Sequence, residues 1–188
     1  FKENENLIDF IVKYIPKIKN GDIIVVTSKV IALSEGRTAL LGDDITREKL
    51  IKQESQFALR TKYTWLTIKD GMVMSSAGID ESNADGKIVL LPQDSFKSAK
   101  YLYTKLCKIY KVKNLGVLVT DSRLLPLRAG VVGIALGYAG FNGVRDYRGK
   151  KDMFGRILKF SRTDVADSLM QVIYSTWISL GSERGLNF

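Results

Sequence analysis

The sequence predicts an α+β chain, with mixed or antiparallel sheets and flanking helices in a single domain over residues 1–188 that has room for two subdomains. Three observations carry this. Runs with helical and strand periodicity follow one another without a regular βαβ alternation. A hairpin signature sits mid-chain, at Asp70-Gly71. At 45% hydrophobic and 26% charged, the chain can bury a core, and neither a repeat nor a low-complexity linker divides it.

The elements follow in order. Leu7, Ile8, Ile11, Val12 and Ile15 recur at helical spacing, which predicts an amphipathic helix over 5–15. Asn20-Gly21 and Asp22 make a turn, and the β-branched run Ile23 to Ser28 reads as a buried strand. Val30 to Leu33 has a helical start. Thr46 to Leu59 is helical by pattern, with Thr46 as N-cap and Glu48 in the first turn. Tyr63 to Lys69 and Met72 to Ser75 flank Asp70-Gly71 as a hairpin. A polar loop over Ala77 to Gly86 leads to a short strand, Ile88 to Leu91, which stops at Pro92. Ser95 to Tyr110 is a long helix with Leu102, Leu106 and Ile109 on one face. Leu115 to Thr120 is a second buried strand. The glycine-rich Val131 to Gly140 fits a strand or a tightly packed helix. Lys159 to Ser161 is extended, and Asp164 to Ser179 is a helix.

Composition narrows the function. With 29 Lys and Arg against 20 Asp and Glu, the net charge is +9, which favours anionic partners. There is no histidine, which excludes imidazole-based hydrolases, His-held zinc and haem. A metal must then be held by oxygen, which favours magnesium, manganese or calcium. The single cysteine, Cys107, reads as a core position on a helix and fits a reducing cytoplasm. No segment is apolar for the roughly 18 residues that would span a membrane, and the polar start lacks a signal-peptide core. The chain opens on Phe1 rather than Met, so its true start is expected upstream. No G-x-G-x-x-G follows a strand and no Walker A loop occurs.

Three loops have more than connector chemistry. Ser75 to Asn83 carries Asp80, Glu81 and several hydroxyls after a strand, and fits either a cation and phosphate loop or an Asx-type turn. Val117 to Ser122 ends a buried strand on Asp121 and Ser122, which suits a metal ligand on a rigid element or a cap. Pro126 to Val131, followed by Arg145 to Asp152 and Arg156, is an anion cradle or a salt-bridged surface. Two aspartate loops and a basic loop without histidine suggest metal-assisted phosphate chemistry.

These residues occur in a familiar order. Ser76-Ala77-Gly78-Ile79-Asp80-Glu81-Ser82-Asn83 resembles the N/S-A-G-I-D-x-S-N motif of the coenzyme F420 gamma-glutamyl ligase family. Matching segments are Val26-Thr27-Ser28-Lys29, Ser34-Glu35-Gly36-Arg37, Leu90-Leu91-Pro92 and Val119-Thr120-Asp121-Ser122. Further matches are Arg128-x-Gly130-Val131-x-Gly133-x-Ala135, Asp146-Tyr147-Arg148-Gly149-Lys150-x-Asp152-x-Phe154-Gly155-Arg156 and Val165-Ala166-Asp167. The Thr-Asp-Ser and Pro-Leu-Arg wording is similar to a bacterial branch associated with folate metabolism.

The resemblance implies a GTP-dependent ligase that joins L-glutamate to a carboxylate acceptor through an acyl phosphate. It also implies one or two Mg2+ or Mn2+ ions and an intertwined homodimer of gamma-glutamyl-ligase-like fold. Asp80, Asp121 and Ser122 take the metal positions, with Asp80 and Asp121 at the catalytic centre. Ser28 and Asn83 take nucleotide positions, Lys29 stands near a family lysine that aligns with Leu33, and Arg128 and Arg148 are the anion contacts read from the basic loops. The family's C-terminal Met-Gly-Glu segment has no clear counterpart; ungapped alignment puts Ser179 at its glutamate, and Glu183 lies nearby. The folate-type acceptor is preferred over the F420 type. No membrane contact is expected, and nucleic acid is not the favoured partner. The second expectation is a divergent, non-catalytic member that binds nucleotide or RNA.

Overall fold

The computed structural model describes residues 1–40, 42–82, 86–125 and 127–183, with side chains in the last helix described as far as Tyr174. Helix α1 (Leu7–Tyr14) is capped by Asn6, whose side chain accepts the N–H groups of Ile8 and Asp9. Strand β1 (Ile23–Thr27) runs directly into helix α2 (Ser28–Ser34), so Ser28 is the first helical residue rather than the last of the strand. Strand β2 (Thr38–Leu40) was not evident from the pattern, being only three residues long.

The predicted helix over 46–59 is two elements. Helix α3 (Asp44–Gln53) is capped by Asp43, which accepts the Thr46 N–H, so Thr46 is inside the helix rather than its cap. Phe57–Arg60 is strand β3. It pairs antiparallel with β4 (Trp65–Lys69), which pairs in turn with β5 (Met72–Ser75). Tertiary pairing thus overrides a local helical pattern.

A one-turn 3-10 segment, Ser76–Gly78, precedes β6 (Lys87–Val89), which pairs with β2. Helix α4 (Ser95–Tyr110) follows. Leu102 and Leu106 are buried as expected, but Ile109 is 45% exposed and Cys107 lies half-buried against the core. Strand β7 (Gly116–Leu124) extends beyond the apolar run that announced it, and the glycine-rich segment is strand β8 (Val131–Ala139). Short strands β9 (Val144–Asp146) and β10 (Arg162–Asp164) pair antiparallel, so the extended segment begins after Ser161. Helix α5 (Val165–Glu183) closes the described chain.

The central sheet has the order β1-β7-β8, with β1 parallel to β7 and β8 antiparallel to it. Its alternation explains the continuous apolar run of β7. Val117 and Val119 join Ala99, Leu102 and Leu106 of α4 on one face, while Leu118 meets Ala166 and Met170 of α5 on the other. Glycines let both helices come close. A Cβ on Gly137 would lie 2.5 Å from the Ser95 backbone, and one on Gly133 would lie 2.9 Å from Met170. The expected α+β class with mixed and antiparallel sheets is therefore present, and no described helix is long and apolar enough to cross a membrane.

Candidate functional site

The two aspartate loops, far apart in sequence, both reach the start of α2. The β1–β7 register places Thr27 beside Thr120, so the residues that follow them are neighbours. Ser28 Oγ donates to Asp121 Oδ1 at 3.2 Å. Lys29 Nζ lies 2.6 Å from Asp80 Oδ2 and donates to the Ser82 carbonyl at 2.7 Å. Four of the predicted site residues, Ser28, Lys29, Asp80 and Asp121, therefore form two adjacent contacts on successive residues of one helix.

Asp80 is delivered by an unusual backbone. Ser76, Ala77 and Gly78 have φ of 48°, 56° and 70°, three left-handed residues in succession. Two of them carry side chains, at a cost of about 1–2 kcal/mol each. Beyond the turn, Asp80 exchanges two backbone hydrogen bonds with Val89, at 3.0 and 2.8 Å. Its Oδ1 accepts the Ser82 N–H at 2.7 Å. Burial pushes the Asp80 carboxyl up, but hydrogen bonds from Lys29 and Ser82 outweigh it and hold the group below its ordinary value.

Asp121 is different. Strand β7 continues through it, so neither Asp121 nor Ser122 caps a following segment. Burial pushes the Asp121 carboxyl above its ordinary range, against the pull of Arg123 and the hydrogen bond from Ser28. Arg123 Nε stands 3.3 Å from Asp121 Oδ2, and its Nη1 donates to Met74 Sδ at 3.1 Å. Arg123 is 6% exposed, and its Nη2 is a buried donor without a partner among the described residues. The sequence reading missed Arg123 because it ended the strand at Thr120. Once the strand is extended, the i, i+2 spacing puts Arg123 on the Asp121 face. The same pleat turns the exposed Ser122 side chain to the opposite face.

The basic loops do not join this cluster. Arg148 forks onto Asp146 in the β9–β10 unit, at 2.9 Å from Nε and 2.5 Å from Nη2 to Oδ2. That pairing drives the Asp146 carboxyl down to about 2. The salt-bridged alternative therefore describes Arg148, whose guanidinium already has its carboxylate. Arg128 lies in the exposed β7–β8 connection. Asn83 lies outside the described residues, as does the side chain of Glu183.

The donor set suits a hard divalent cation. It is oxygen-only; each of its two carboxylates now faces a cationic side chain, Lys29 or Arg123, which a bound cation would have to displace. Among the described residues no three Asp, Glu, Cys or His converge. Water and phosphate oxygens would complete the shell, as is usual for magnesium.

The chain is similar to known proteins. The sequence profile of the F420-0:Gamma-glutamyl ligase family matches residues 43–174, a span that contains both aspartate loops. The coenzyme F420:L-glutamate ligase of Methanococcus maripaludis is 33% identical over 185 residues, covering 89% of this chain and 73% of that protein. The protein of the same name from Methanocaldococcus jannaschii is 31% identical over 191 residues, with 89% and 73% covered. That from Methanopyrus kandleri is 31% identical over 172 residues, with 81% and 68% covered. The chain belongs to the F420-0:gamma-glutamyl ligase family and is an enzyme of the acid–amino-acid ligase class.

Proposed function

We propose that the chain uses GTP to join L-glutamate, through an amide bond, to the carboxylate of an F420-type acceptor. The convergence of Ser28–Asp121 and Lys29–Asp80 at the start of α2 carries this reading, because it gathers oxygen ligands and a lysine cation, paired with Asp80, in one place. The names of the relatives favour the F420-type acceptor over the folate type expected from the loop wording.

In this reading Asp80 and Asp121 hold one or two Mg2+ or Mn2+ ions, with Ser122 able to contribute through its backbone. When bound, the ions neutralise the triphosphate and the charge that develops on transfer. Lys29 supplies a point charge for the phosphates once Asp80 is engaged elsewhere. Ser28 keeps Asp121 aimed at the site. The acceptor carboxylate attacks the γ-phosphate, GDP leaves, and the glutamate amine then displaces phosphate from the acyl phosphate. The chain has no imidazole to take the amine proton, so a carboxylate or the departing phosphate takes it.

The enzyme acts as a homodimer in this reading. Phe57, Leu59, Leu66, Ile68 and Val73 support it, since they form exposed apolar rows across one face of the β3-β4-β5 sheet. Sedimentation of the parent as a dimer and of Phe57→Glu as a monomer is expected.

The deciding assay is glutamate-dependent phosphate release from GTP with Mn2+, run with F420-0 and with a folate monoglutamate. Activity on F420-0 that disappears in Asp80→Ala and Asp121→Ala supports the proposal. Full activity in the double variant refutes the site. Salt-sensitive RNA binding without GTP or metal binding would favour a non-catalytic member.

A further inference from the structure

The left-handed turn before Asp80 is tied to the β4–β5 hairpin through one buried hydroxyl. Thr67, in the middle of β4, has no exposed surface. Its Oγ1 donates to the Met74 carbonyl at 2.8 Å and accepts the Ala77 N–H at 2.8 Å. Ala77 is itself buried, with φ 56° and ψ 23°. Its N–H needs an acceptor, and in this position the turn offers Thr67. The turn is closed by the Ile79 N–H, which donates to the Ser76 carbonyl at 3.0 Å, and a longer, less buried tie joins the Thr64 and Ser76 hydroxyls at 3.2 Å.

Without the Thr67 oxygen, the buried Ala77 N–H would lose its acceptor, and Ser76 and Ala77 would keep a conformation that L side chains avoid with only the Ile79–Ser76 bond and the Thr64 contact to hold it. The turn carries the chain from the end of β5 to the Asp80–Val89 bridge, three residues beyond Ala77. Relaxation of the turn would therefore move the carboxylate relative to Lys29. Neither the family motif nor the charge pattern points to Thr67, which is an ordinary strand residue in sequence.

We propose that Thr67 is a positioning residue of the candidate site, holding the Ser76–Gly78 turn left-handed and so aiming the Asp80 carboxylate. This rests on the reading of Asp80 as an oxygen ligand.

The test is calorimetric titration of the full chain with Mn2+, with cooperative unfolding as a check of the fold. Five proteins are compared: the parent, Asp80→Ala, Thr67→Val, Thr67→Ser and Thr67→Val combined with Ala77→Gly. Thr67→Val keeps the shape and removes the oxygen, and a loss of about ten-fold in Mn2+ affinity is expected, as for other groups that orient a ligand. Thr67→Ser keeps the oxygen and should stay within about two-fold of the parent. Glycine adopts the left-handed conformation without strain, so Ala77→Gly should restore most of the affinity lost in Thr67→Val. A purely structural role would not be rescued in this way. If Thr67→Val does not fold, Thr67→Cys replaces it, its sulfur being a poor acceptor, and the same outcomes decide.

A folded Thr67→Val that binds Mn2+ like the parent, while Asp80→Ala does not, overturns this inference alone. A parent that does not bind Mn2+, or binding unchanged in Asp80→Ala, overturns the reading of Asp80 and this inference with it.

Discussion

Gly78 is the most exacting position in the turn, and replacing it with alanine tests both backbone and packing. Its φ is +70°, and an added Cβ would stand 2.7 Å from Leu91 Cδ1 and 2.8 Å from Leu91 Cγ. Leu91 is buried, so it has little room to give. The left-handed backbone costs an alanine about 1–2 kcal/mol. Overpacking against a buried leucine costs about 1–3 kcal/mol more. Gly78→Ala should therefore lose about 2–5 kcal/mol in urea unfolding, with an unchanged m-value. Gly71 separates the two contributions. Its φ is +75°, but nothing lies within 4 Å of its added Cβ. Gly71→Ala should lose only the backbone part, about 1–2 kcal/mol. In a Leu91→Ala background the steric part of Gly78→Ala should vanish, giving a measurable coupling. Equal losses in Gly71→Ala and Gly78→Ala would refute the packing argument, and a neutral Gly78→Ala would refute both parts.

Other outcomes follow from the same coordinates. Glu54 accepts from Arg37 at 2.6 Å and from the buried Lys69, so Glu54→Gln should cost about 2–4 kcal/mol in chemical unfolding. Burial raises the Glu54 carboxyl, but bonds from Lys69 and Arg37 outweigh it and leave it below 4.5, so its stabilisation is complete above that pH and lost on acidification. Glu54→Gln should flatten that acid limb of the stability profile. Leu106→Ala, at a fully buried site, should lose about 2–5 kcal/mol, and Ile109→Ala, 45% exposed, less than about 1. In NMR titration Asp146 should ionise near pH 2, and Arg148→Ala should return it toward 3.8. An unshifted midpoint would show that the fork does not persist in solution.

The legible parts of the fold were those with strong periodicity or a specific turn. The α1 and α4 helices, the β4–β5 hairpin and the apolar runs of β1 and β7 all announce themselves. What stayed hidden depends on partners distant in sequence. Phe57–Arg60 looks helical locally but is recruited to β4, and the three-residue strands β2, β9 and β10 exist only through their pairing. The site divides in the same way. Residue order pointed to Ser28, Lys29, Asp80 and Asp121, and these meet. Arg148 was expected at the site because of its charge, yet its nearest carboxylate claims it. Arg123 escaped notice because β7 runs past the apolar residues that announce it, and Thr67 because its role comes from burial, which no local pattern encodes.

The parallel pairing of β1 with β7 also has a consequence for how the protein is made. Ser28 and Asp121 are 93 residues apart, and no hairpin can bring parallel strands together. While the ribosome is still adding α3, the β3-β4-β5 sheet and α4, β1 has no permanent neighbour. Its Ile-Ile-Val-Val edge must wait, either shielded by α1 and α2 or held by a chaperone. Closure of so long a loop is slow and comes late. The Ser28–Asp121 contact therefore forms only after β7 has been made, and a product interrupted before β7 lacks the Asp121 half of the candidate site.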